Sequence, residues 1–259
     1  MRIVFVGCPP ADVAPEEREA AAAALANFRC VPVFLPPDVA RGHATYCRGT
    51  LWPVLHNVIA VHGKLPTRWW NRSEQEELWK AYTQVNKLFA DVVVQEYSRG
   101  DLIWVHDFPL LLLPSFLTRR LRRANIGLFL HTPFPSSEIF RTLSVRSNIL
   151  RGMLCADHVG FHLYEYARHF LTSCFRLLGH THAARRGGHL EIAAGGRTVR
   201  VTASHAGIQP DKVSRALAAP SLPADAAHLR DRFAGRVILA SVDRLGTLSG
   251  IGLKLRAFQ

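Results

Sequence analysis

The side chains best placed to do chemistry stand at the ends of three apolar runs. His106 and Asp107 follow Leu102–Val105 (LIWV), His131 follows Ile126–Leu130 (IGLFL), and His162 follows His158–Phe161 (HVGF). Such runs read as buried parallel strands, and open α/β sheets bind their ligands beyond the carboxyl ends of those strands. The chemistry implied is ligand recognition by polar groups delivered to one rim. A fifth candidate, Arg244, follows the run Arg236–Val242 (RVILASV). A lone histidine at a strand end can also serve only to bond nearby backbone groups, and Asp107 can serve as a helix N-cap.

The elements that must position these residues alternate in type. Met1–Gly7 (MRIVFVG) predicts a strand and Pro15–Phe28 an Ala-rich helix with proline at its first turn, and Val31–Leu35 predicts a second strand. Ser73 and Glu76 have capping-box spacing. Leu78, Trp79, Tyr82, Val85, Phe89, Val92 and Val93 then recur at three- and four-residue steps, which predicts a long helix packed on the sheet. A helix over Leu110–Arg123 and one ending at Gly179 separate the later strands, giving a doubly wound α/β plan. After His131, the stretch TPFPSSE predicts a fresh helix start at Ser136, Ser137 and Glu138. Beyond Gly179 a loop (HTHAARRGGH) precedes two alternating runs, HLEIAA and RTVRVTA, joined by Gly195 and Gly196 as a hairpin turn. Pro220–Asp225 (PSLPAD) is the best linker candidate, a helix ends near Gly235, and Arg236–Val242 predicts a new buried strand.

Composition sets the outer bounds. With 259 residues and 48% apolar content the chain can bury a real core. No apolar run approaches the roughly 20 residues needed to cross a bilayer. The N-terminus lacks the features of a signal peptide, so a cytoplasmic location is expected. Cys8, Cys30, Cys47, Cys155 and Cys174 are scattered, which indicates neither a disulfide framework nor a zinc site. His180, His182 and His189 lack tight ligand spacing, and no metal is expected. The net charge of +12 would suit anionic partners, but the densest cluster, Arg119, Arg120, Arg122 and Arg123, closes a helix and has no interleaved aromatics. A solvated helix end is expected there, with no nucleic-acid or membrane partner.

The segments LWPVLHN, LWKAYTQVNKLFA, DLIWVHDFPLLLLP, IGLFLHTPFPSSEIFRTL, ADHVGFHLYEYARHF and VDRLGTLSGIGLKLRAF resemble successive motifs of the trehalose-6-phosphate synthases of glycosyltransferase family 20. ANFRCVPVFLPPD further resembles the plant class II-like branch. The resemblance implies a GT-B fold of two Rossmann-like domains, the first holding glucose 6-phosphate and the second UDP-glucose. The implied reaction forms trehalose 6-phosphate and UDP with retention, without cofactor, metal or protein nucleophile. Catalysis would then rest on positioning and on neutralising the departing diphosphate. By the same resemblance Asp107 contacts acceptor hydroxyls, His131 faces the donor glucose, Trp79 helps bind the acceptor, and Arg244 meets the donor diphosphate. Other trehalose synthase subunits are implied partners. Residues 1–219 are expected to form the acceptor-side domain without its first strand and Gly-rich loop, 220–235 a linker and helix, and 236–259 a truncated start of the nucleotide-sugar domain.

The departures from the family pattern bear on activity. Leu55, His56 and Asn57 stand where Phe-His-Tyr is usual, and Phe108 and Pro109 follow Asp107 in place of Tyr-His. Gly246 replaces an aspartate, and Ser249 replaces the lysine that pairs with Arg244. Losing one of two cations at a developing negative charge costs about 3 kcal/mol. A complete synthase site in this polypeptide alone is therefore not expected, and a noncatalytic, regulatory sugar-phosphate-binding module is the alternative.

Overall fold

A computed structural model describes residues 3–58, 72–185, 189–245 and 249–259. The chain divides into two units, Met1–Ala206 and Gly207–Gln259.

The first unit opens with β1 (Phe5–Gly7), α1 (Arg18–Ala26) and β2 (Cys30–Pro32), and β1 pairs in parallel with β2. A short 3-10 turn carrying Pro15 leads into α1, as the proline predicts. Next come α2 (Pro37–Tyr46), a π-turn over Cys47–Leu51, and α3 (Trp52–Leu55). The long α4 (Arg72–Glu96) buries Tyr82, Val85, Asn86, Phe89 and Ala90 on one stripe and packs against α2. Ser73 does not cap it, because Arg72 is already helical and takes Glu76 as an ion-pair partner at 3.0 Å.

The main sheet has the order β3-β4-β5-β8-β7-β6. β3 (Leu102–His106), β4 (Asn125–Leu130), β5 (His158–Phe161) and β8 (Arg197–Ala203) run parallel. They are linked through α5 (Leu113–Arg120), α6 (Ser137–Phe140), α7 (Arg146–Met153) and α8 (Tyr164–Leu178). α8 ends at Gly179, whose φ of 74° is the left-handed cap that glycine adopts without penalty. β7 (Leu190–Ala194) and β8 form the expected hairpin, with Gly195 and Gly196 at φ 56° and 79°. Two expectations change here. The loop after Gly179 contains β6 (His182–Ala184), an antiparallel edge strand on β7. The helix expected over Leu110–Arg123 is only α5, and Arg122 and Arg123 lie past its end, because Leu121 already leaves helical geometry.

Burial in this sheet alternates. Ile126, Leu128 and Leu130 of β4 are buried, as are Val105, Val159, Phe161, Val199 and Val201 on neighbouring strands. Each such aliphatic side chain contributes about 1.5–3 kcal/mol by leaving water. The opposite face carries Leu102, Trp104, His106, Phe129 and Arg200, and among the described residues no helix covers it: Trp104 is 60% exposed. The doubly wound plan, with apolar runs buried on both sides, therefore holds on one face only. Period-2 alternation puts each chemically capable strand end on the open face.

The second unit holds α9 (Pro210–Leu217), α10 (Leu222–Arg232) and α11 (Ile251–Arg256). The stretch 220–225 opens α10, with Pro223 in its first turn. Arg236–Val242 is not a strand. No strand among the described residues pairs with it, and Val237 is 90% exposed. No helix among the described residues is long and apolar enough to cross a membrane.

Candidate functional site

The site grows from the carboxyl ends of β3, β4 and β5. Parallel register sets His106 opposite Phe129, and Phe129 opposite Gly160. One step further along, His131 and His162 therefore leave their strands side by side on the open face. The rings join end to end: His106 Nδ1 is 3.1 Å from His131 Nε2, and His131 Nδ1 is 3.3 Å from His162 Nε2. Trp104 stacks on His106 at 5.1 Å between centroids. The Phe129 ring backs the row, 4.7 Å from His131 and 5.0 Å from His162. Gly160 makes room for that ring, since a Cβ there would lie 2.6 Å from it.

Asp107 ties β3 to β4. Its Oδ1 accepts from the backbone N–H of His131 at 3.0 Å, from that of Thr132 at 3.1 Å and from the Thr132 hydroxyl at 3.2 Å. Its own N–H donates to the Phe129 carbonyl at 2.8 Å. These bonds hold Asp107 at φ 64° and ψ 178°, backbone geometry that costs a non-glycine residue about 1–3 kcal/mol. Asp107 is thus no ordinary helix cap: all three bonds fall on one oxygen, and none within the described residues engages the other.

The loop after Asp107 is fixed from below by a buried polar network that the apolar periodicity did not bring forward. The Tyr82 hydroxyl donates to the Phe108 carbonyl at 2.7 Å and accepts from Leu111 N–H at 3.1 Å. Asn86 donates to the Pro109 carbonyl at 3.1 Å and accepts from Leu112 N–H at 3.2 Å. His43 stacks on Tyr82 and bonds the same Pro109 carbonyl at 3.1 Å. The available signal was Asn86, a polar residue on the apolar face of a helix. Burial lowers the His43 pKa, and it raises that of the adjacent Cys47 thiol to about 12, which keeps this sulfur protonated and unreactive. The His106 pKa is lowered, first by partial burial and then by His131, with Asp107 opposing.

The expected residues fall into three groups. Asp107 and His131 come together, and His162, at the end of its own strand, joins them as the third ring. Trp79 lies half-buried on α4, packed against Tyr46 and Tyr82 at 5.6 and 5.4 Å, and it is Tyr82 that bonds the Asp107 loop. Arg244 belongs to the second unit, in an exposed segment beside Asp243, which Lys254 pairs at 2.6 Å. Among the departures, Asn57 sits at φ 55° after α3, a left-handed position asparagine tolerates, and His56 bonds back to the Trp52 carbonyl at 2.8 Å. The Ser249 hydroxyl donates to the Arg244 carbonyl, while Gly246 lies outside the described residues. Ser136 occupies the N-cap position of α6, and Arg176 clamps the start of that helix through Ser137, at 2.9 Å, and Glu138. The rim therefore presents imidazole rings, an aspartate carboxylate and an aromatic platform. Such a set suits a ligand rich in hydroxyls.

The family described as glycosyltransferase family 20 matches residues 1–259. The alpha,alpha-trehalose-phosphate synthase [UDP-forming] 5 of Arabidopsis thaliana is 39% identical over 262 residues, covering 100% of this chain and 30% of that protein. The chain thus spans about 30% of the length of the curated relatives it matches. Among solved structures, the N-terminal domain of a Candida albicans trehalose-6-phosphate phosphatase superposes with a TM-score of 0.80 at 32% identity, covering 94% of this chain and 50% of that one. A UDP-forming alpha,alpha-trehalose-phosphate synthase from Burkholderia xenovorans, in complex with glucose-6-phosphate, gives 0.75 at 25% identity, covering 88% and 48%.

Proposed function

The chain belongs to glycosyltransferase family 20 and has its GT-B fold, and on that premise we propose that its first unit is the acceptor side of a UDP-forming trehalose-6-phosphate synthase. It binds glucose 6-phosphate at the rim of β3, β4 and β5 and serves the retaining transfer of glucose from UDP-glucose, in the cytosol. Asp107 takes an acceptor hydroxyl on its second carboxylate oxygen, which accepts no hydrogen bond among the described residues. His131 meets the donor glucose, Trp79 supports the acceptor pocket through Tyr82, and Arg244 contributes charge to the donor diphosphate. The observation that carries this reading is the Asp107 Oδ1 bond to His131 N–H at 3.0 Å, which joins the two sugar-facing residues in one rigid corner. Positioning is the main catalytic resource in a reaction with no protein nucleophile.

Calorimetry of this chain with glucose 6-phosphate tests the proposal. Saturable binding is expected, weakened about tenfold or more in Asp107→Asn, as the loss of one charge-assisted hydrogen bond to an acceptor hydroxyl implies. No binding by the unsubstituted chain, or binding that Asp107→Asn leaves unchanged, would overturn it. Release of UDP from UDP-glucose plus glucose 6-phosphate by this chain is expected to stay at background, since Ser249 stands where the family has a lysine. Robust turnover would remove that part of the reading.

A further inference from the structure

The row His106, His131 and His162 has a direction, and one backbone group supplies it. Ala206 N–H lies 3.3 Å from His162 Nδ1. A backbone N–H can only donate, so His162 Nδ1 accepts and carries no proton. The proton of the neutral ring is then on Nε2, which donates to His131 Nδ1 at 3.3 Å. That places the His131 proton on Nε2, which donates to His106 Nδ1 at 3.1 Å. The His106 proton is left on Nε2, at the free end of the row beside Trp104. Reversing the polarity would set His162 N–H against Ala206 N–H. The ring nitrogens point at one another instead of at a common centre, and no three His, Cys, Asp or Glu side chains among the described residues are grouped to hold a metal ion.

We propose that these three histidines form a one-way hydrogen-bonded row, anchored by the Ala206 N–H, that sets which nitrogen of His131 carries the proton, with His162 as the positioning residue. Ring orientation is set at the same time, since Phe129 packs against both His131 and His162. A ligand approaching the His106 end meets an N–H and must offer an oxygen lone pair. This consequence for sugar binding rests on the synthase reading above; the proton placement does not.

Long-range 1H–15N spectra of the chain, labelled with ring-15N histidine and recorded at neutral pH, read each tautomer directly. His131 and His162 are expected to be protonated on Nε2. His162→Gln can replace the lost donor with its amide N–H and should keep His131 in that state. His162→Phe removes it and should raise the Nδ1-protonated fraction of His131 about tenfold, the effect of losing one hydrogen bond. Ala206→Pro replaces the anchoring N–H by a proline Cδ that cannot donate and crowds His162 Nδ1, and it should loosen His162 in the same way. If His162→Phe does not fold, the unsubstituted spectrum and Ala206→Pro decide the matter. His131 protonated on Nδ1 in the unsubstituted chain, or tautomers unmoved by His162→Phe and Ala206→Pro, would overturn the proposal. Failure to bind glucose 6-phosphate would sink the synthase reading and leave these spectra as expected.

Discussion

Replacing Asp107 in three ways separates its two structural roles. Its Oδ1 holds three donors, the N–H groups of His131 and Thr132 and the Thr132 hydroxyl, at 3.0–3.2 Å, while its backbone sits at φ 64°. Half-buried bonds of this kind are worth about 1 kcal/mol each, so Asp107→Ala, which loses all three and keeps the strained backbone, should cost about 3 kcal/mol. Asp107→Gly loses the same bonds but relieves about 1 kcal/mol of backbone strain, for a net cost of about 2 kcal/mol. Asp107→Asn keeps a carbonyl oxygen in place and should cost about 1 kcal/mol, the difference between a charged and a neutral acceptor. Urea unfolding followed by tryptophan fluorescence measures all three, and the predicted order of loss is Asn, Gly, Ala. An alanine variant as stable as the glycine variant would refute the backbone part. An asparagine variant as unstable as alanine would refute the hydrogen-bond part.

Gly160→Ala should cost about 1–3 kcal/mol in thermal or urea unfolding, because its Cβ would lie 2.6 Å from the Phe129 ring, and its histidine tautomer spectrum should blur as the platform moves. Tyr82→Phe strands the Leu111 N–H and the Phe108 carbonyl beneath the site, a loss of about 1–3 kcal/mol readable in the same assay. Acid titration should show a defined sign. The pKa values of His43, His106 and His158 are lowered in the folded state from 6.5, so the unfolded chain binds more protons below that value. Stability should thus be level between about pH 7 and 8 and decline as pH falls through 6.5. His43→Phe should flatten that decline, and an unchanged slope would count against burial of His43 as its cause.

Features that one backbone segment imposes by itself were legible in the residues. Gly179 ends α8 and Gly195–Gly196 turn the β7–β8 hairpin because those positions need positive φ, and His106, His131 and His162 leave their strands where the apolar runs stop. The strand expected over Arg236–Val242 was not found, since apolar alternation describes a side-chain pattern and a strand also needs a neighbour for its backbone. β6 was missed for the opposite reason: a three-residue run with no strand pattern of its own becomes a strand when an existing edge, here β7, accepts it. Trp79 and Tyr82 share one stripe of α4, and only Tyr82 reaches the Asp107 loop directly.

Residue order alone determined the α/β plan, the rim on which the polar groups gather, and the family resemblance that pairs Asp107 with His131. Tertiary structure decided that one sheet face is uncovered among the described residues, that His162 completes the row, and that the row runs from Ala206 toward His106. The physical reason is range. Periodicity and turn chemistry act over a few neighbours, whereas the direction of the histidine row depends on a backbone N–H 44 residues from the ring it meets. That contact exists only once β5 and β8 have paired.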